Sequence, residues 1–240
     1  MLSEFDLIFI GMFGIFCLLD FLMPARRFAH VAGWPLVGLL SLIVNYFIAG
    51  YAPLMWDHWL GTYTLFNASS LDPWVAVPAG FIILQFGIYV WHRCMHNVDF
   101  LWRTFHQTHH AAERVDIYGA FYFHPLDMLG WSLLASIMLV GIFGLDGGTA
   151  AIVNLMAAFC SMFQHSNIKT PRWLGYIVTR PESHSVHHQR DHHANNYGDI
   201  PLFDIVFGTF VNPTRWSGKA GFFEGSTLKI LSLLIWRKMA

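Results

Sequence analysis

The chain has 240 residues, of which 55% are hydrophobic and only 12% are charged, and its formal net charge is -1. An ordinary soluble domain carries about 25% charged residues, so this composition indicates a membrane protein. The lack of a basic excess argues against a nucleic-acid partner, because phosphate binding needs positive charge. The three cysteines form no paired motif, so they do not indicate the redox compartment.

Four stretches are apolar and long enough to embed in a membrane, where a spanning helix needs about 20 mostly apolar residues. Three of them, roughly residues 5–23, 34–55 and 75–91, predict one helix each. The fourth, residues 128–163, is broken by GLDGG at 144–148 and predicts two helices joined by a tight turn. A last apolar run, residues 228–236, is too short to cross and is expected to lie at the interface.

The fold class that follows is all-α. We expect an integral membrane helical bundle of about four to five membrane-embedded helices. Residues 92–127 and 164–240 are expected to fold together as a cytosolic helical cap, and residues 1–240 to form a single domain. The first segment begins beside Glu4 and Asp6 instead of basic residues, which argues against a cleaved signal peptide.

The basic residues indicate how this bundle is oriented. If the N-terminus faces outside, the external pieces are the first few residues, residues 53–74 and the GLDGG turn, and none contains Lys or Arg. The positive-inside rule then places the opposite side in the cytosol. Every histidine except His58 falls on that side. We therefore expect a multi-pass protein with a cytosolic active site, and we favour a bacterial inner membrane over the endoplasmic reticulum.

Three histidine clusters stand out on the cytosolic side: an HxxxH at 92–96 and two HxxHH patterns at 106–110 and 184–188. On a helix, positions i, i+3 and i+4 share a face, so each cluster is predicted to aim two or three imidazoles at one point. Structural zinc closes at four ligands, so eight imidazoles indicate two ions in a two-metal catalytic site. Imidazole suits iron, copper, zinc or nickel. The eight candidate ligands are His92, His96, His106, His109, His110, His184, His187 and His188.

Four further histidines lie near these clusters. His165, in FQHSN, ends an apolar hairpin, and an imidazole at that depth is costly without a partner, so it is a ninth candidate ligand. His124, in FHPLD, is a candidate ligand or a residue that supports one. His192 and His193 are expected at the surface or beside the ligands, because NNYG should end the ligand helix just after them. His193 is predicted to point away from the site.

Acidic and amide side chains in the same segment could support the ligands. Asp191, Asp199 and Asp204 could each hold the outer nitrogen of a ligating histidine, which fixes the tautomer of the ring. Asp204 is favoured because it lies in the otherwise apolar PLFDIVFGTF, and Asn196 is a further candidate for metal binding or ligand support. Ordinary solvated loop charges are the alternative interpretation of these acids.

The motifs resemble those of the fatty acid hydroxylase/sterol desaturase superfamily, which are integral membrane non-haem di-iron enzymes. The matching elements, in family order, are YVWHRCMH, WRTFHQTHH, YFHPLD, FQHSN, and RPESHSVHHQRDHHANNYG running into FDIVFGTF. The resemblance implies a small helical bundle with a histidine-rich dimetal site under a cytosolic cap. It also implies two iron ions, O2 as co-substrate, and hydroxylation or desaturation of a sterol-like or fatty-acyl lipid. The eight clustered histidines and His165 would be the metal ligands.

The sequence departs from the family pattern at two positions, and the first of them bears on the expected lipid substrate. Lys169 stands where members acting on long-chain fatty acids often have a second histidine, which favours a sterol-type or other lipid over a sphingolipid-type acyl chain. Phe203 replaces a frequent Trp. We expect no fused cytochrome b5-like or ferredoxin-like domain, and we therefore expect electrons from a separate protein, either cytochrome b5-like or a ferredoxin with its reductase. Zinc could replace iron in a purified sample, because it outcompetes ferrous iron at such sites.

Aromatic residues near the candidate ligands could form the substrate entrance, although plain packing or interfacial anchoring would also explain them. These residues are Trp102, Phe105, Tyr118, Phe121 and Tyr122.

Two other function classes remain compatible with the histidines. A membrane zinc-dependent hydrolase would be expected to carry HExxH, which is missing. A metal-binding transporter or sensor would be expected to keep its ionisable ligands near the bilayer midplane, whereas these clusters lie at or beyond the helix ends.

Overall fold

The computed structural model describes residues 2–239, and all regular secondary structure within them is helical apart from one bridge between Gln189 and Ala220. Five helices are long and apolar enough to cross a membrane, which confirms the predicted all-α membrane bundle. The first to fifth membrane helices are Glu4–Leu22, Trp34–Met55, Pro73–Asn97, Pro125–Ile142 and Gly147–His165. The second ends in a 3-10 segment, Ala52–Met55, and the fourth in a π-helical segment, Ile137–Ile142.

Short helices form the connections and the cap. The α-helical ones are Asp57–Leu60, Asp99–Leu101, Gln107–His110, Pro181–His187, Leu202–Val206 and Ile230–Leu234. The 3-10 segments are Gly61–Tyr63, Ala68–Ser70, Ile117–Gly119, Arg172–Tyr176 and Ser226–Leu228, and a second π-helical segment is Trp102–His106.

The third membrane helix packs against the fourth and the fifth, and this contact places the helix ends that carry histidines side by side. A Cβ atom at Gly87 would lie only 2.7 Å from Cγ of Met138 in the fourth membrane helix. A small residue at this point therefore lets the two helices approach closely. The GLDGG turn joins the fourth and fifth membrane helices as predicted, with Gly144 in the left-handed region at φ 70.

The outer surface of the bundle is apolar. The first membrane helix buries only Phe13 and Phe16, while large apolar side chains such as Ile15 and Leu18 are more than half exposed. A helix that is apolar all round and mostly exposed in the isolated chain is the pattern of a lipid-facing segment.

Buried polar contacts fix the cap on the bundle. Asp20, near the end of the first membrane helix, accepts hydrogen bonds from the backbone N–H groups of Ile117 (2.9 Å) and Asn167 (2.6 Å). Arg180 is fully buried and pairs with Glu182 at 2.9 Å. A buried charge is tolerated only when it is paired and hydrogen-bonded, so these contacts hold the start of helix Pro181–His187 in place.

The last apolar run forms helix Ile230–Leu234, which packs on the cap beside helix Gln107–His110. Its Leu233 is fully buried with Ala111 and Phe222, whereas Leu231 is 80% exposed. The one-sided burial leaves an outward apolar surface, and the position of this run at the membrane interface stays a prediction.

Candidate metal centre

The third membrane helix presents two histidines one turn apart at its C-terminal end. The Nδ1–H group of His92 donates to the carbonyl oxygen of Tyr197 at 2.7 Å, and that of His96 donates to the carbonyl oxygen of His193 at 2.8 Å. A carbonyl oxygen can only accept, so both rings carry their proton on Nδ1. Each Nε2 atom is buried and has no hydrogen-bond partner in the protein.

The first HxxHH cluster crosses a change of helix type. His106 ends the π-helical segment Trp102–His106, and His109 and His110 lie in the short α-helix Gln107–His110. The cluster therefore does not form one regular α-helix, but two of its three rings, those of His106 and His110, still share one group of ligand atoms as expected. Single π-helical turns are frequent at functional sites, and this one changes the direction of His106 relative to the rings that follow.

The second HxxHH cluster lies on helix Pro181–His187, which ends much earlier than expected. We predicted that the helix continues to NNYG, and this is wrong because His188 already caps it. The segment that follows turns through left-handed backbone at Asp191 (φ 62) and His193 (φ 43). This turn brings the backbone carbonyls of His193 and Asn195 back towards the histidine rings.

The nine histidines come together as two neighbouring groups, and within each group one ligand atom per residue lies within 4.8 Å of the others. Each HxxHH cluster contributes to both groups, because adjacent helical residues point about 100° apart. The rings of His110 and His188 stack across the boundary, with centroids 4.2 Å apart. The group of five contains His92, His96, His106, His110 and His187, and the group of four contains His109, His165, His184 and His188.

The group of five has the form of a metal-binding donor set. Every Nδ1 atom has an outer partner: for example, that of His187 donates to the carbonyl oxygen of Asn195 at 2.7 Å, and that of His106 pairs with Asp127 at 2.9 Å. All five Nε2 atoms are buried without a partner in the protein. Histidines that bind a metal through one nitrogen usually fix the other in this way. Five imidazoles also exceed the four ligands of a usual zinc site.

The group of four shows this arrangement at two of its rings, while the Nδ1 atoms of His184 and His188 have no hydrogen-bond partner in the protein. Nε2 of His165 lies 3.1 Å from Nε2 of His109 and 3.0 Å from Nε2 of His184. The Nδ1 atoms of His165 and His109 face backbone carbonyl oxygens at 2.8 Å and 3.3 Å, so their protons are on Nδ1. Two Nε2 lone pairs at about 3 Å repel each other unless a cation lies between them. These four residues therefore fit a second metal ion.

Burial keeps the cap histidines in the form that binds metals. Burial removes these histidines from water, and this desolvation lowers the pKa of each ring well below the ordinary histidine value. Neighbouring imidazoles lower the pKa further. Neutral imidazole is the metal-binding form, so at pH 7 these rings need lose no proton before they coordinate an ion. The six residues are His106, His109, His110, His184, His187 and His188.

His124 and Asn196, both candidates for metal binding or ligand support, form hydrogen bonds with backbone groups. His124 is the N-cap of the fourth membrane helix: its Nδ1 accepts from the N–H of Leu126 at 3.1 Å. Asn196 donates to the carbonyl oxygen of Ser183 at 2.9 Å and accepts from the N–H of Val211 at 2.8 Å. Neither residue belongs to the two histidine groups. Asn196 instead ties the returning loop to the ligand helix.

The acid that holds a histidine is Asp127, not one of the three predicted acids. Asp127 is fully buried in the fourth membrane helix and pairs with His106, and its place in YFHPLD was the available signal. Asp204 accepts from the N–H groups of Tyr197 (2.9 Å) and Gly198 (2.8 Å), so it supports His92 only through the Tyr197 carbonyl. Asp199 binds two glutamine side chains, and Asp191 is exposed.

His192 and His193 have different surroundings. His192 is exposed, and its Nε2 contacts Oδ1 of Asn195 at 2.9 Å. His193 was predicted to point away from the site, and this is wrong because the helix ends before it: its Nδ1 lies 3.0 Å from Nδ1 of His110. His193 thus holds a candidate ligand through its ring, although it belongs to neither group.

Because of this difference, we expect replacement of His193 and replacement of His192 to change metal affinity differently. His193→Ala removes the ring that holds His110, and we expect metal affinity to fall about tenfold, the scale of losing such a supporting group. His192→Ala removes an exposed ring and should leave metal affinity unchanged. Metal titration of both purified variants measures the two affinities. Equal affinities in the two variants would contradict the contact between His193 and His110.

A cavity of about 670 Å³ leads from both groups into the membrane bundle. It follows the fifth membrane helix from Ala150 to His165, about 22 Å at 1.5 Å per residue. Most of its wall is apolar, and it reaches Asp6, Tyr46 and Asp57 at the opposite end of the bundle. A long apolar cavity with a few polar groups is the form of a site for a lipid-like molecule. The histidines in its wall are His92, His106, His109, His165 and His184.

Of the five aromatic residues proposed for the entrance, Phe121 lines this cavity and the other four are not part of its wall. Trp102 packs on the outer side of the group of five, with its ring centroid 4.9 Å from that of His96. Tyr122 is buried and donates to the carbonyl oxygen of Thr227 at 2.8 Å. Phe105 packs on Trp91, and Tyr118 packs on Phe13. The entrance prediction is therefore wrong for Trp102, Phe105, Tyr118 and Tyr122.

Three relatives of the chain are named for lipid hydroxylation or monooxygenation. The ornithine lipid hydroxylase OlsE of Rhizobium tropici is 32% identical over 143 residues, which cover 58% of this chain and 43% of the relative. The alkylglycerol monooxygenase of Homo sapiens is 29% identical over 180 residues, covering 72% and 39%. The sphinganine C4-monooxygenase 1 of Arabidopsis thaliana is 26% identical over 152 residues, covering 62% and 58%. The matched regions are thus only part of these longer relatives.

No solved structure matches the chain. A family model described as fatty acid hydroxylase matches residues 77–209, which include all nine grouped histidines. Because this match covers more than half of the sequence, the chain belongs to the fatty acid hydroxylase family.

Proposed function

We propose that this protein is a membrane-bound oxygenase that uses O2 to hydroxylate a lipid, with two iron ions held by the nine grouped histidines. The observation that carries the proposal is the pair of buried, all-imidazole groups at the end of a long apolar cavity. Family membership supports the class of reaction, as do relatives named for hydroxylation of ornithine lipid and monooxygenation of alkylglycerol and sphinganine.

Iron bound at these residues would supply the activation of dioxygen, chemistry that side chains alone lack. The overall reaction replaces one C–H bond of the lipid by C–OH. The second oxygen atom leaves as water, which requires two electrons and two protons from outside the site. Loss of a second hydrogen from the lipid, giving an alkene, is the alternative outcome that product analysis distinguishes.

The residues of the chain perform three tasks in this proposal. Backbone carbonyls, Asp127 and the ring of His193 hold the outer nitrogens of seven of the nine histidine rings, so the Nε2 atoms of those rings stay aimed inward. The apolar cavity wall excludes water and holds the lipid chain. The end of the cavity at His92 and His165 places one carbon of that chain beside the metals.

Iron is favoured over the other metals that imidazole binds. A set of five imidazoles suits a metal of higher coordination number than tetrahedral zinc, and O2 chemistry requires a redox-active ion. Zinc found in a purified sample would be a substituted metal, because it binds such sites more tightly than ferrous iron.

The site is proposed to face the cytosol, and the electrons to come from a separate protein. The basic residues all lie at the cap end of the bundle, which supports this orientation by the positive-inside rule. A cytochrome b5-like protein or a ferredoxin with its reductase would supply the two electrons at the cap surface. We further propose that residues 1–240 act as one domain, because cap and membrane helices share the site.

Lipid profiling of cells with and without the protein tests the function. We expect a lipid that is one oxygen atom heavier in cells that make the wild-type chain. The product should be lost with His187→Ala and kept with the matched control His192→Ala, since only the first residue belongs to a histidine group. A product that persists in the His187→Ala cells would refute the assignment of the site.

A further inference from the structure

Two polar atoms in the cavity wall beside the histidines have no hydrogen-bond partner in the protein. They are Oε1 of Gln164 and Nε1 of Trp131, and both atoms are buried. Gln164 directly precedes His165 and is 6% exposed. The ring of Trp131 lies 5.8 Å from that of His92, measured between centroids. An acceptor and a donor therefore stand next to the two histidine groups.

Hydrogen bonds fix which end of the Gln164 amide faces the cavity. Its Nε2 donates to Oδ1 of Asp199 at 2.9 Å, and Oδ2 of Asp199 accepts a hydrogen bond from Nε2 of Gln85, also at 2.9 Å. Oε1 of Gln85 accepts from the N–H groups of Asp199 and Ile200, so that amide cannot turn over. An ionised carboxylate only accepts, and therefore the NH2 group of Gln164 must face Asp199 while its oxygen is left free.

An unpaired acceptor and an unpaired donor are unusual in a protein interior. About 90% or more of buried polar groups have a hydrogen-bond partner in the protein or in a bound molecule such as ordered water, so these two atoms are expected to pair with a molecule in the cavity. Buried Trp N–H groups also usually find an acceptor. Both residues line the same cavity beside the histidine groups, so a lipid bound in it would contact both residues.

We propose that Gln164 and Trp131 bind a polar group of the lipid substrate beside the carbon that is oxidised. Oε1 of Gln164 accepts a hydrogen bond from an N–H or O–H group of the lipid, and Nε1 of Trp131 donates to its oxygen. A secondary amide or a hydroxyl offers both functions, whereas a free carboxylate offers no donor to Gln164. The inference rests on the proposed function for the oxidation itself, but the binding does not depend on turnover.

Equilibrium binding to the full-length chain in lipid nanodiscs tests this pairing with two matched pairs of probes. N-methyl hexadecanamide carries the N–H group that methyl hexadecanoate lacks, and hexadecanol carries the O–H group that its methyl ether lacks. We expect wild type to bind the donor-bearing member of at least one pair about tenfold more tightly, the scale of a hydrogen bond to a buried acceptor. No preference in either pair overturns the proposal.

Three variants assign the preference to its residues. Gln164→Met should reduce the ratio of affinities to about one, because it removes the acceptor. Asn154→Leu is the control: it removes a side-chain amide from the cavity wall about 15 Å from Gln164 along the same helix, so the ratio should remain. Trp131→Phe should weaken both members of a pair equally, since both carry an oxygen. An unchanged ratio in Gln164→Met overturns the proposal.

The proposed oxidation of a lipid and the proposed binding role of Gln164 and Trp131 can each be refuted without refuting the other. A preference that depends on Gln164, without lipid oxidation in cells, would refute the proposed reaction and leave this site standing. Lipid oxidation without the preference would refute only the role of Gln164 and Trp131.

Discussion

Replacing both His109 and His184 with alanine is expected to remove one metal ion from the protein and leave the other. Both residues belong to the group of four, while the group of five keeps all its members. Oxidation of the lipid should fall by roughly 1,000-fold or more, because residues that act as a unit lose most of their effect together. Metal analysis of the purified variant, with product formation measured in parallel, gives both quantities.

The complementary double variant, His96→Ala with His187→Ala, is expected to lose the other ion through the group of five. His58→Ala is the control, since His58 is exposed at the opposite end of the bundle. If either double variant loses both ions or neither, the division of the nine histidines into two independent metal sites is incorrect.

Asp204→Ala is expected to lower the free energy of unfolding by about 3 kcal/mol or more, because buried donors that lose their acceptor cost about 1–3 kcal/mol each. Asp204 is fully buried and accepts from the N–H groups of Tyr197 and Gly198 and from the hydroxyl of Thr209 at 2.6 Å. Denaturant or thermal unfolding in nanodiscs measures the loss of stability.

The same variant should weaken metal binding about tenfold, because the Tyr197 carbonyl that holds His92 would shift. Asp191→Asn is the matched control: Asp191 is exposed, and asparagine tolerates its left-handed backbone at φ 62. Similar stability in the two variants would show that Asp204 does not organise the loop after the ligand helix.

The membrane bundle could be predicted from the sequence because its signals are local. Apolar runs of spanning length and the GLDGG break determine the five helices, and each helix in lipid must satisfy its own backbone. The ends of the helices were predicted less accurately. The third membrane helix continues to Asn97, because contacts with the cap stabilise its polar HRCMHN end.

The spacing of the motifs identified the grouped histidines, but it did not predict which of them belong to the group of five and which to the group of four. His109 and His110 are neighbours in sequence and belong to different groups, because the outcome depends on how a π-helical segment and a short α-helix meet other segments. Asp127 was missed for the same reason. Its contact with His106 joins two elements that periodicity within either one cannot relate.

The return of the loop after His188 also depended on tertiary structure. Local spacing predicted a continuing helix, whereas left-handed residues reverse the chain so that its carbonyls reach the rings of His96 and His187. The aromatic residues near the motifs were poor guides to the cavity, because most of them pack behind the histidines or against other helices.

Metal content and O2 consumption, measured together on freshly purified, active protein, test whether the nine histidines hold a di-iron oxygenase centre. We expect two iron ions per chain, and oxygen uptake that depends on both a lipid substrate and an electron donor. Stoichiometric zinc in freshly prepared active protein, with no oxygen consumed, would contradict this expectation.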